Sequence, residues 1–353
     1  MAAAKHRAID LFRRTRMRGE KHVEIGRDLE AEQNQAPDFA AALDDEVGDD
    51  LLRLVFISCH PALSMEARVA LTLRLLGGLT TDEIARAFLV PEPTIAQRIV
   101  RAKKTLAKDK VPFEVPRGAD LAARLSSVLG VIYLIFNEGY TATAGGDWMR
   151  PSLCDEALRL GRIVAELAPQ EPEVHGLVAL MEIQASRQRT RVDAEGRPIL
   201  LLDQNRAQWD RLLIGRGLTA IDRAARLGVA RGPYLLQASI AACHARARES
   251  NDTDWARIVA LYDELRDVSP SPIVDLNRAV AVGMASGPQA GLDALDHLLD
   301  EPSLRGYHLL PSVRGDLLAR VGRADEARME FERAASLTRN ERERELLLAR
   351  ARA

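Results

Sequence analysis

Between Leu79 and Leu106 the chain reads LTTDEIARAFLVPEPTIAQRIVRAKKTL, two helix-period patterns separated by a proline-marked break. In the second pattern Ile95, Ile99, Ala102 and Leu106 recur on one face, which is expected to pack on Leu75, Ile84, Ala85 and Phe88. The opposite face carries Thr94, Gln97, Arg98, Arg101, Lys104 and Lys108. Thr80 or Thr81 is placed to cap the first helix, and Pro93 suits the first turn of the second, where its missing N–H is no loss. The pattern predicts a helix-turn-helix. Lysine and arginine on such a second helix can neutralise phosphates, while side chains near its amino end reach base edges in a major groove. A solvated amphipathic helix shares the periodicity, so a protein-docking unit is the alternative.

The surrounding sequence supports helices around this pair. Apolar residues make up 47% and aromatic residues 4%, a mixture led by alanine, leucine and arginine that favours helix over sheet. A helix ending before Pro61 is predicted, then one capped by Ser64 and stopped by Gly77-Gly78. The formal charge of -2 conceals a segregation. Residues 1–21 hold seven Lys/Arg against two Asp/Glu, residues 22–50 hold ten Asp/Glu against one Arg, and residues 93–110 hold six Lys/Arg against one Asp. Two basic elements flank an acidic, proline-broken stretch that reads as a linker.

After the VPFEVPRG stretch at 111–118 the chain is predicted helical to its end. An A-x3-F-x2-A frame fits Ala327, Phe331 and Ala334, and more loosely Ile258, Tyr262 and Leu265, then Gly291, Leu295 and Leu298, and Ala157, Gly161 and Val164. The steps from Tyr262 to Leu295 to Phe331 are 33 and 36 residues, near the tetratricopeptide period. The expected fold class is all-α, a helix-turn-helix followed by a degenerate tetratricopeptide-like solenoid. The longest apolar run, Val128–Phe136, is about half of what a bilayer span requires, so no membrane partner is expected. Cys59, Cys154 and Cys243 have no metal-ligand spacing and read as reduced thiols. The basic amino terminus lacks a secretory apolar core, so a cytoplasmic location is expected.

The stretch LRLLGGLTTDEIARAFLVPEPTIAQRIVRAKKTL resembles region 4 of the bacterial extracytoplasmic-function sigma factors. The resemblance rests on Glu83-Ile84-Ala85, on Thr94-Ile95 opening the second helix, and on Arg101-Ala102-Lys103 before Leu106. The turn FLVPEP departs from the glycine usual in the family. The likeness implies contact with a minus-35 promoter element through Thr94, Gln97, Arg98, Arg101 and Lys104, with Lys103 and Lys108 beside them. The segment AAKHRAIDLFRR is similar to the region 2 helix that reads the minus-10 element, with Arg7, Asp10, Arg13 and Arg14 on its Arg-Ala-x-Asp-x-x-Arg-Arg core. Lys5, Arg7, Arg13 and Arg14 are the cations it implies there. His6 stands where many members carry asparagine.

The family has further helices ahead of this segment, so a chain limited to these residues is expected to load poorly onto core RNA polymerase. FNEGYTATAGGDWMRPSLCDEALRLGR and LLLDQNRAQWDRLLI look like the characteristic stretches of a subgroup whose members carry a tetratricopeptide-like carboxy-terminal extension. The implied organisation is a region 2 remnant at 1–25, an acidic linker at 26–50, region 4 at 51–110, a linker at 111–118 and the extension at 119–353. Core RNA polymerase and promoter DNA are the implied partners. The extension is expected to control activity through a regulatory protein or an intramolecular contact, with no catalysis and no cofactor.

Other groupings suggest chemistry less strongly. Glu138, Asp147 and Asp155 could gather carboxylates near Arg150, yet no histidine or serine partner stands in a recognisable frame, and packing of that loop on the helices is the plainer expectation. Gly145-Gly146 lacks a nucleotide-binding context. His175, His297 and His308 lie in different units. Asp203, Gln204, Asn205, Trp209 and Asp210 form a polar-aromatic cluster expected on a concave face, open to a partner.

Overall fold

A computed structural model describes residues 53–88, 90–116 and 119–352, so the basic amino-terminal segment and the acidic stretch lie outside the described residues. The described chain is all-α apart from a two-residue parallel strand pair and one isolated bridge. It falls into two compact units divided between Val131 and Ile132. None of the described helices is long and apolar enough to cross a membrane.

The first unit opens with a helical segment at 53–58. It continues with α1 (Met65–Leu75), α2 (Thr81–Phe88), α3 (Glu92–Lys108) and the beginning of α4 (Ala119–Tyr140). The Ser64 hydroxyl accepts from the Ala67 N–H at 3.3 Å, capping α1. The helix stops at the glycine pair. Gly77 N–H donates to the Thr72 carbonyl, Leu79 N–H donates to Leu73, and Gly78 takes φ +66°. A Cβ on Gly77 would lie 2.6 Å from the Leu73 carbonyl oxygen, so the stop needs glycine there.

Helix α4 supplies the polar lock of this unit. Arg124 donates to the Phe56 carbonyl at 3.0 Å and Ser127 to the Cys59 carbonyl at 2.6 Å. Arg68, on α1, donates to Ser127 and to the Pro61 and Leu63 carbonyls. These donors satisfy carbonyls at the end of the 53–58 segment and in the turn that leads to α1. Beneath them the buried Thr72 hydroxyl donates to Ser58, with the Cys59 sulfur 3.4 Å from Thr72.

The second unit continues through α5 (Pro151–Leu167), α6 (Pro172–Ala185), α7 (Arg211–Arg226), α8 (Pro233–Arg246) and α9 (Trp255–Val268). It ends with α10 (Pro272–Ser286), α11 (Pro288–Leu295), α12 (Leu309–Arg320), α13 (Ala324–Leu337) and α14 (Glu341–Arg352). Proline opens α5, α6, α8, α10 and α11, where its fixed φ suits the first turn.

The core of this unit is a chain of linked clusters. Helix α8 gives Ala238, Ala241, Ala242 and Ala245 to a cluster with α6 and α7, and Leu236 and Ile240 to another with α9. Helix α10 gives Ala281 to that second cluster, and Leu276 and Ala279 to a third that runs to Leu347. Each shared helix uses two faces, as in stacked helical repeats. The repeat frame falls on buried positions, with Ala327, Phe331 and Ala334 at 3%, 2% and 0% exposure. A Cβ on Gly315 would lie 2.9 Å from the Phe331 ring, and one on Gly291 would lie 2.9 Å from the Gly283 Cα. Small residues therefore set how closely these helices approach.

A long-range tie also joins the two ends of this unit. β1 (Ala144–Gly145) pairs in parallel with β2 (Arg339–Asn340). The buried Asn340 amide donates to the Ala142 and Asp147 carbonyls, both at 2.9 Å.

Candidate nucleic-acid interface

The helix pair is assembled by local chemistry. Glu83 accepts from the Thr80 N–H at 2.8 Å, and the Thr80 hydroxyl accepts from the Glu83 N–H at 3.1 Å, a reciprocal capping box that starts α2. Ile84 and Ala85 are buried at 0% and 4% exposure. Helix α3 begins after Pro91, with Pro93 in its first turn and the Thr94 N–H donating to the Pro91 carbonyl. It packs on both α1 and α2, burying Ile95, Ile99 and Ala102. Three buried anchors at helical spacing leave α3 one rotational setting.

That setting turns Gln97, Arg101, Lys103, Lys104 and Lys108 to solvent. Among the described residues, none of these five side chains takes part in a hydrogen bond or an ion pair, so the positive face is not neutralised from within. Thr94 and Arg98 are half-buried rather than fully open. Arg98 lies near Glu66, whose carboxyl is held below its usual range mainly by its own backbone N–H and the Ser64 hydroxyl, with Arg98 contributing less. Lys5, Arg7, Arg13 and Arg14 lie outside the described residues.

Two features of α3 escaped the sequence reasoning. Val100 is 50% exposed, and with the exposed Ala96 it places an apolar strip amid the cations. Its position, out of step with Ile95 and Ile99, was the available signal. Lys110 adopts φ +47° just beyond the helix, and nothing in the sequence marks that conformation.

The remaining groupings resolve into structure. Glu138 is buried in an ion pair with Arg150, which also donates to the Ala144 carbonyl at 2.9 Å. Asp147 and Asp155 are exposed, so the three carboxylates do not gather, and Glu138 braces its loop. Among the described residues no group of three His, Cys, Asp or Glu side chains could hold a metal ion. The expected polar-aromatic face is corrected in the same way. Trp209 is 3% exposed inside the core shared by α6, α7 and α8, because its indole fills the space between those helices. Asn205 and Asp210 cap the helical turns on either side of it. His175 is buried with Nε2 2.8 Å from the Pro169 carbonyl, and His308 lies beside Glu343. The cysteines are free, and burial pushes the Cys154 thiol up to about 12.

Comparison with known proteins locates two family matches. Residues 53–106 match the family described as Sigma-70, region 4. Residues 124–225 match a family of unknown function (DUF6596). Over 292 residues the chain is 48% identical to the uncharacterized protein R00370 of Rhizobium meliloti (strain 1021), an alignment covering 83% of this chain and 68% of that protein. No solved structure matches the chain. The first match coincides with the helices that build the exposed basic face.

Proposed function

The chain belongs to the family of the Rhizobium meliloti protein and carries a sigma-70 region 4 unit, and on that footing we propose that it is an RNA polymerase sigma factor of the extracytoplasmic-function type. The observation that carries this reading is the outer face of α3, where Arg101, Lys103, Lys104 and Lys108 stand unpaired among the described residues while the apolar face is anchored. The role is positional rather than catalytic. Those cations meet the phosphates of a minus-35 element, with Thr94, Gln97 and Arg98 near the amino end of the helix facing base edges. The amino-terminal cations Lys5, Arg7, Arg13 and Arg14 serve the minus-10 element, within the organisation 1–25, 26–50, 51–110, 111–118 and 119–353 given by the resemblance. The carboxy-terminal helices regulate the complex with core RNA polymerase, through a partner protein or through the chain itself.

The test is the salt dependence of binding to a promoter duplex. Arg101→Ala and Lys104→Ala should each weaken binding and reduce the log–log salt slope by about 0.9 per lost phosphate contact. Slopes equal to that of the unaltered protein would remove the proposal. The exposed strip of Ala96 and Val100 also suits a protein surface, which keeps a second reading: a tetratricopeptide-type scaffold whose helix-turn-helix docks a protein. Failure to shift any duplex, specific or random, would favour that scaffold.

A further inference from the structure

Away from α3, the second unit stacks three buried arginines in alternation with the half-buried Tyr140 and Trp148 and the buried Trp209. Arg191 lies over the Tyr140 ring at 3.4 Å and 5.9 Å from Trp148. Arg187 lies 5.8 Å from Tyr140 and 5.6 Å from Trp209, and Arg206 lies 5.1 Å from the same Trp209 ring. The three arginines are only 8%, 6% and 5% exposed for Arg187, Arg191 and Arg206. None of them forms an ion pair with a described residue.

Their hydrogen bonds explain part of this burial. Arg191 donates to the Tyr140 carbonyl, the last of α4, and to the Thr141 hydroxyl. Arg206 donates to the His244 and Ala247 carbonyls at the end of α8, and to Thr253. Arg187 donates to the Tyr140 hydroxyl and to Gln184. Two helix carboxyl ends supply about half a negative charge each, about one in all, against three guanidinium charges. Ring faces add modest attraction, and Asp252, which acts on Arg206, is exposed and screened. An excess of about two positive charges stays buried.

Unused donors lie in the same place. Arg187 Nε, Arg206 Nε and Trp209 Nε1 are buried without a hydrogen-bond partner. Buried polar groups seldom lack a partner, and two guanidinium Nε donors beside the indole N–H form a neighbourhood that asks for an acceptor. His244 Nδ1, unpartnered too, lies beside the two arginines.

We propose that the Arg187–Trp209–Arg206 cluster binds an oxyanion, the phosphoryl or carboxylate group of a small molecule. Forked guanidinium donors suit either group, and an anion there would offset buried positive charge that no described carboxylate pairs. The site belongs to the helical unit alone and stands or falls independently of promoter recognition.

The experiment uses the full chain with inorganic phosphate and acetate, each against chloride at equal ionic strength. Thermal unfolding and tryptophan fluorescence are read together. Phosphate should quench emission saturably and, above its Kd, raise Tm by about 3 °C for each tenfold increase in concentration. Saturation by phosphate alone identifies a phosphoryl ligand, and saturation by acetate as well admits a carboxylate. Arg187→Met should abolish the response, Arg187→Lys should weaken it at least tenfold while keeping the charge, and the exposed neighbour variant Arg189→Ala should retain it. No saturable change in the unaltered protein, or an equal Tm rise in the Arg187 variants, overturns the proposal and leaves a purely structural row.

Discussion

Lys110 ends α3 in the left-handed region, where its N–H donates to Ala107 and the Val111 N–H donates to Leu106. This is the hydrogen-bond pattern of a Schellman stop, in which glycine usually occupies the left-handed position. Lys110→Gly should raise the stability of the first unit by about 1 kcal/mol, read from denaturant unfolding. The strain sits at the end of the basic helix, where lysine adds a further cation. A second residue-scale prediction concerns His244. Burial, with repulsion from Arg187 and Arg206 adding to it, lowers its imidazole from 6.5 to about 3. The unfolded chain therefore binds the proton first, so stability is complete above about 6.5 and falls as the pH drops towards about 3. His244→Phe should flatten that loss by up to about 1.4 kcal/mol per pH unit across the window.

At the scale of elements, most of the helix-turn-helix was legible. Ile95, Ile99 and Ala102 recur with helical period, and a short helix can bury such a stripe in only one orientation, so the exposed cations follow from sequence position. The cap on α2 was legible as well, because threonine followed three residues later by glutamate signals a capping box. Thr80→Ala should destabilise α2 by about 1 kcal/mol, read as faster hydrogen exchange across 81–88 with exchange in the second unit unchanged. Legibility failed where spacing is silent about neighbours. Trp209 stands among polar residues, yet α6, α7 and α8 close over it.

For the whole molecule, the unexpected feature is the tie between β1 and β2. Stacked repeats need contacts only with their neighbours, and the frame around Phe331 expresses that local logic. Asn340 adds a contact across 193 residues to the Asp147 carbonyl, and another across 198 to Ala142. Asn340→Ala strands two carbonyls and should cost about 1–3 kcal/mol. Loss of amide protection in 141–149, with α1–α3 unchanged, would be the expected signature.

Periodicity, caps and charge order are local properties, and from them the chain's all-α class, the anchored face of α3 and its open basic face could be read directly. The burial of Trp209, the arginine row without carboxylate partners and the Asn340 tie depend on residues distant in sequence. Only packing decides which of those meet, because hydrophobic burial is non-directional and carries no record of its partner in the chain.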